Sequence, residues 1–213
     1  MLYFRKQRLL KGDEKEGIPL LGRFDMKNYT IVGGVNGVGK SSLSGVLKVE
    51  RLDLGHIIDV DKLAVENKCG AMESGKLALT KIEEFLDRGL SFTQETTLSG
   101  QRTGKTIKIA KENGYTVRLF YIGLNTLDEC IERIKNRVLR GGHNIQEDDV
   151  ERRFAKRFDD VVKILLYCDE AHFFDNDNGF IEVGEYKNGE IICKGDYKPK
   201  WFIELKEHFV NQL

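Results

Sequence analysis

The chain has little proline, a single tryptophan and no surplus of either charge. Of 213 residues only Pro19 and Pro199 are proline, and only Trp201 is tryptophan. Basic and acidic side chains balance at 34 each, a formal net charge of zero. Bulk binding to nucleic acid or to an anionic membrane needs a basic excess, so the balance argues against both, while a local basic face stays open. No apolar run approaches the length that crosses a bilayer. Met1–Lys11 carries basic residues without the apolar stretch or cleavage pattern of a secretory signal. Cys69, Cys130, Cys168 and Cys193 form no CxxC pair and no cluster with histidine, so reduced thiols and a cytoplasmic location are expected. Low-complexity linkers and internal repeats are also missing.

What is present suits one packed domain, since 40% of the residues are hydrophobic. From Tyr29 onward, short apolar runs alternate with longer amphipathic ones, the pattern of an α/β fold with a parallel sheet. Strands are expected at Tyr29–Gly33, His56–Asp59, Ser91–Glu95, Val117–Ile122 and Ala171–Phe174. Helices are expected at Lys40–Leu47, Ser74–Arg88, Gly104–Asn113, Thr126–Arg140, Asp148–Leu166 and Lys200–Gln212. Phe180–Tyr186 and Ile191–Lys194 flank Asn188-Gly189, which predicts a small C-terminal β-hairpin. Residues 1–25 do not share this rhythm. They are expected to be an N-terminal extension, either an arm packed on the domain or a segment ahead of a natural start at Met26. Residues 26–213 are expected to form the single working domain.

The strongest motif is Gly34-Val35-Asn36-Gly37-Val38-Gly39-Lys40-Ser41, a full match to GxxxxGK[ST]. It follows an apolar strand and opens a helix that continues through Ser42, the context that gives the motif meaning. Glycines let successive backbone N–H groups curl inward onto phosphate oxygens. The helix N-terminus adds the positive end of its dipole. Lys40 is expected on the β- and γ-phosphates of ATP and the Ser41 hydroxyl on Mg2+. A second run, Gly100-Gln101-Arg102-Thr103-Gly104-Lys105-Thr106, is one residue too short between its glycines to wrap a phosphate. Leu98-Ser99-Gly100-Gln101 falls one glycine short of an ABC-ATPase signature. Both read as an ordinary strand-to-helix loop.

Carboxylates stand where strands end. Ile57-Ile58-Asp59-Val60-Asp61 places two at the ligand-binding edge of an open parallel sheet. Period-2 alternation would put Asp59 and Asp61 on one side. Asp61 is expected to accept the proton of an acceptor hydroxyl and Asp59 to hold the metal, while the alternative is that either caps the next helix. Glu95-Thr96-Thr97 ends another strand, and Glu95 and Thr97 are expected near the acceptor. No strand is expected to end in an apolar run followed by Asp, which argues against a motor ATPase.

Thr126-Leu127-Asp128-Glu129 is a capping box opening an amphipathic helix. Arg133, Arg137 and Arg140 share one face of it, and Gly141-Gly142-His143-Asn144 ends it. The next helix carries Arg152, Arg153, Lys156 and Arg157. Helix, glycine break and helix with arginines on both arms is the build of a kinase lid, here near residues 133–158. Arg133, Arg137, Arg140 and Arg153 are the expected catalytic arginines. The alternative is a solvated basic face balanced by neighbouring acids.

Together, Gly33–Ser42, Ile58–Asp61, Glu95–Gly100 and Tyr115–Phe154 resemble the zeta-toxin-like P-loop kinases, in the branch described as predicted ABC-type ATPases. The resemblance covers roughly Met26 to Phe158. It implies a nucleotide-kinase-like sheet with a helical lid and Mg-ATP-dependent transfer to a small hydroxylated acceptor. The toxin members phosphorylate the 3′-hydroxyl of UDP-N-acetylglucosamine, and an antitoxin protein is the partner such a kinase implies. By analogy Asp61 is the base, Lys40 and Ser41 hold ATP and Mg2+, and Arg133 with a lid arginine steadies the transferring phosphoryl. This chain departs from the pattern in one helix. Toxin members carry a sugar-contacting glutamate where this chain reads Ala78-Leu79-Thr80, with Glu83 and Glu84 one turn later. Two other functions stay open, a regulatory ATPase with no small acceptor and a polynucleotide-end kinase.

Overall fold

The structure, a computed structural model, describes residues 27–51 and 53–212. Residues 1–25, expected as an extension, lie outside the described residues, as does Met26. Seven strands and eight helices follow in the order β1 (Asn28–Gly33), α1 (Lys40–Glu50), β2 (His56–Ile58), α2 (Val60–Asn67), α3 (Ala71–Asp87), β3 (Phe92–Thr96), α4 (Arg102–Glu112), β4 (Thr116–Gly123), α5 (Leu127–Leu139), α6 (Glu147–Ala155), α7 (Arg157–Leu165), β5 (Glu170–Asp175), β6 (Ile181–Lys187), β7 (Glu190–Cys193) and α8 (Lys200–Val210).

One sheet holds all seven strands in the order β2-β3-β1-β4-β5-β6-β7. The first five are parallel, and β6 and β7 add antiparallel at one edge. The hairpin turns on Asn188 and Gly189, both at positive φ, as an Asn-Gly pair favours. This order sets β1 between β3 and β4, and the C-terminal ends of such strands are the edge at which open parallel sheets receive ligands.

Strand alternation sorts the core into two layers. Tyr29, Ile31, Leu119, Tyr121 and Phe173 face one way, into a cluster completed by α3, α4, α7 and α8. Val32, Phe120, Ile122 and Phe174 face the other way, onto α1, α5 and α6. Trp201 and Phe202 of α8 are fully buried in the first layer. The Trp201 indole donates to Asp175 at 2.7 Å, and Tyr197 lies within reach of the same carboxyl.

Three expectations change. The strand expected at Ala171–Phe174 runs on to Asp175, so an aromatic run does end in an aspartate, yet that carboxylate is 1% exposed and serves Trp201. The helix expected at Asp148–Leu166 is two helices broken at Lys156, where Arg157 lies over the Phe154 and Phe158 rings at 3.8 and 4.1 Å. The strand before Asp59 ends at Ile58, so alternation does not govern Asp59 and Asp61.

A close approach fixes where α8 sits. A methyl group on Gly123, at the end of β4, would meet the Trp201 ring at 2.3 Å. Gly123→Ala is therefore expected to destabilise the fold by about 1–3 kcal/mol. A lowered urea midpoint, followed through the Trp201 emission, checks it.

Candidate active site

The GxxxxGK[ST] segment forms a closed phosphate-type loop between β1 and α1. Gly37 and Gly39 adopt φ of 86° and 99°. A side chain at Gly37 would strike the Cys130 carbonyl at 2.4 Å, so only glycine suits both the turn and the contact with α5. The first turn of α1 has no side-chain cap and no acidic residue. Its N–H groups are left for an anion. Val35 and Val38 are buried beneath the loop and anchor it to the second core layer.

Lys40 folds back into this loop and donates to the Gly34 and Val35 carbonyls at 2.9 and 3.0 Å. Burial pushes its pKa down to about 8, opposed by the charges of Glu95, Asp61 and Asp59. Ser41 stands between carboxylates. Its hydroxyl donates to Glu95 at 2.7 Å and lies 3.3 Å from Asp59. Glu95 is 8% exposed. Burial raises its pKa and the nearby Asp59 charge adds to that, against the Ser41 hydrogen bond. A hydroxyl flanked by two carboxylates, one of them buried, is a donor set that fits a hard divalent cation.

Asp59 has two roles at once. It is the N-cap of α2, accepting from the Asp61 and Lys62 N–H groups, and it also faces Ser41. Asp61 stands in the first turn of α2, with Arg137 Nη1 at 3.8 Å from its carboxylate.

The arginines divide. Arg153 of α6 donates to the Asn36 side chain at 2.6 Å, linking the second arm to the phosphate loop. Arg133 holds the Asn176 and Asp177 carbonyls, and Asn176 in turn donates to the Val38 carbonyl. Arg137 donates to the His143 carbonyl, bracing the Gly141-Gly142 bend. Arg140 lines a surface depression with Asn136 and Gly142, and the same Arg133 and Arg137 border it. Arg152 pairs with Asp149, and Arg157 reaches Glu204.

A cavity of about 430 Å3 joins these parts. Its floor includes Asn36, Gly37, Gly39 and Lys40–Ser42. Asp59, Asp61, Glu95 and Thr97 lie along one side, and Arg133, Arg137 and Arg153 along another. Ala78 and Leu79, where the resemblance put the sugar contact, line the cavity too, and with them a part the sequence reading did not name: Gly75 and Ile82 on α3, Gln94 and Thr96 on β3, Ser99 in the loop that follows, and Arg102, Thr103 and Thr106 on α4. The discounted Gly100–Thr106 run supplies several of these. It wraps no phosphate, and its residues line the wall as the start of α4. Glu83 and Glu84 are exposed and do not line the cavity.

No family model matches the chain. An uncharacterized protein of Haemophilus influenzae is 35% identical over 126 residues, 57% of this chain and 88% of that protein. The chain belongs to that protein's family. A chain from the PezAT chromosomal toxin-antitoxin system of Streptococcus pneumoniae superimposes with a TM-score of 0.55 at 17% identity, covering 88% of this chain and 87% of that one. A chain of AvrRxo1-ORF1:-ORF2 with ATP reaches 0.60 at 17% identity, covering 86% and 63%. One from the Pnkp1/Rnl/Hen1 RNA repair complex reaches 0.55 at 15% identity, covering 65% and 46%. These likenesses bear on the fold, a P-loop α/β domain of nucleotide-kinase type. Among the described residues no helix is long and apolar enough to cross a membrane.

The Arg153–Asn36 bond is the direct side-chain tie between α6 and the loop. Arg153→Ala is expected to speed amide exchange across residues 141–156 by about tenfold, the worth of one charge-assisted hydrogen bond. Exchange mass spectrometry of the free protein reads it.

Proposed function

We propose that the protein is a Mg-ATP-dependent phosphotransferase acting on a hydroxyl of a small acceptor. One observation carries this. A single cavity joins the phosphate loop, the Asp61 carboxylate, three arginines and a recess walled by Gly75, Ala78, Leu79 and Ile82. A switch that only binds and hydrolyses nucleotide has no use for that recess. A polynucleotide-end kinase would call for a basic track, and the zero net charge does not favour one.

In this reading the loop amides and Lys40 bind the β- and γ-phosphates. Ser41, with Asp59 and Glu95 behind it, holds Mg2+, which when bound neutralises charge on the phosphate oxygens. Asp61 accepts the acceptor's hydroxyl proton as that oxygen attacks the γ-phosphorus in line, the bond from the γ-phosphorus to the β,γ-bridging oxygen breaks, and ADP leaves. Arg133, Arg137 and Arg153 stabilise the charge on the transferring group, and the closed arm excludes water. Arg140, which does not line this cavity, stands with Arg133 and Arg137 at the depression they share. Glu95 and Thr97 border the acceptor. UDP-N-acetylglucosamine is the first acceptor to test, supported by the resemblance of the motifs. A protein antitoxin covering the cleft is the partner it suggests, and the cytoplasm, where ATP is plentiful, is the matching location. The likeness to a chain of a toxin-antitoxin system supports that suggestion.

Asp61→Ala is expected to abolish transfer and keep ATP binding, whereas Lys40→Ala loses both. Calorimetric ATP titration and mass-spectrometric detection of a phosphorylated product from a UDP-sugar panel measure the two properties separately. Undiminished turnover in Asp61→Ala would remove the base from this scheme.

A further inference from the structure

The recess has a recognition element that phosphoryl chemistry does not use. Gly75, Ala78, Leu79 and Ile82 recur at helical spacing along α3 and make an apolar wall. Gln94 pairs in register with Ile31, so it shares the sheet face that Ile31 turns toward Ala78 and Ile82. Tyr29 lies on the same face, is 0% exposed, and donates its hydroxyl hydrogen to Gln94 Oε1.

That bond polarises the amide. Burial pushes the Tyr29 pKa far up, so the phenol keeps its hydrogen at every working pH. Turning the Gln94 amide over would present an N–H to that phenol and leave its buried hydrogen without an acceptor. Oε1 therefore stays on Tyr29, and Nε2 turns its two N–H groups to the cavity. Among the described residues no side chain accepts from Nε2.

We propose that Gln94 is the specificity-determining residue of the acceptor recess, its amide oriented by Tyr29 so that an Nε2 N–H donates to a carbonyl oxygen on a ring seated against Ala78, Leu79 and Ile82. Two donors without an acceptor select a carbonyl over an ammonium. The apolar α3 wall seats a ring face, and Arg102 across the recess suits an anionic group on the same ligand. This rests on the kinase reading of the same cavity. In a sugar nucleotide the carbonyl could belong to the acetamido group or to the pyrimidine.

The test uses the full chain loaded with a non-hydrolysable ATP analogue. The Gln94 side-chain NH2 signal is assigned by its loss in the double variant Gln94→Leu/Tyr29→Phe, which leaves no stranded hydroxyl. UDP-N-acetylglucosamine is expected to move that signal. A shift with UDP-glucose as well assigns the carbonyl to the pyrimidine, and a shift with the acetamido sugar alone assigns it to the sugar. Gln94→Glu keeps an acceptor for Tyr29 and removes the donors, so acceptor KM is expected to rise about tenfold with ATP KM unmoved. A ligand-induced shift without acceptor-dependent ATP turnover removes the kinase reading and leaves the Gln94 assignment standing. No shift with either sugar nucleotide, or wild-type acceptor KM in both Gln94→Glu and the double variant, overturns the assignment.

Discussion

The ammonium of Lys40, held on the carbonyls of Gly34 and Val35, is the contact on which the rest of the site depends. A buried cation is costly unless it is paired or hydrogen-bonded. The loop supplies two carbonyls, and Glu95, Asp61 and Asp59 supply the opposing charge. Those carboxylates come from two separate parts of the chain. Only the strand order, with β3 beside β1 and β2 beyond it, brings them to one end of the sheet. Lys40, Ser41 and the carboxylates thus fix one another, and the second core layer beneath Val35 and Val38 fixes them all.

The arginine arm is braced from within. Guanidinium groups that gather near a cluster of like sign need acceptors, and here backbone carbonyls serve. Arg133 takes those of Asn176 and Asp177, and Arg137 takes that of His143. Arg153 takes the Asn36 side chain. All three arginines line the cavity while so held, and the Nε atoms of Arg137 and Arg153 are buried without a hydrogen-bond partner. Pre-organised donors of this kind lower the reorganisation that phosphoryl transfer would otherwise require.

Much of the fold was readable from residue order, and for local reasons. Apolar alternation marks β1, β3 and β4, the Asn-Gly pair marks the hairpin, and Thr126 with Glu129 makes the capping box as expected. The failures are tertiary. Asp175 looks like a loop residue until Trp201, 26 positions later, donates its N–H into the buried carboxyl. The Lys156 break is invisible because apolar spacing continues through Phe154, Phe158 and Val161 on both sides of it. The recess went unread because Gln94, Arg102 and Thr103 come together only when α3 and α4 pack beside β3. Polarity alone does not single out Gln94, since Thr93 and Glu95 flank it in the same strand, and only the Ala78-Leu79 departure from the family pattern pointed to this wall.

The neutral composition hides a strongly divided site. Glu95 is buried beside Asp59, and its pKa is raised chiefly by loss of water, a sign that the negative cluster lacks full compensation. Arg133, Arg137 and Arg153 stand across the cavity, where Arg137 reaches Asp61 only at 3.8 Å. At that separation the pair stabilises little, since Asp61 is more than half exposed to screening water. A divalent cation beside the carboxylates and a polyphosphate beneath the arginines would each remove one imbalance. A third ligand against the α3 wall would remove neither, so its selection there rests on shape and hydrogen bonds, with Arg102 the charge within the recess. In the proposed reaction, charge would therefore govern how the site holds nucleotide, and Gln94 with its apolar wall what else it admits.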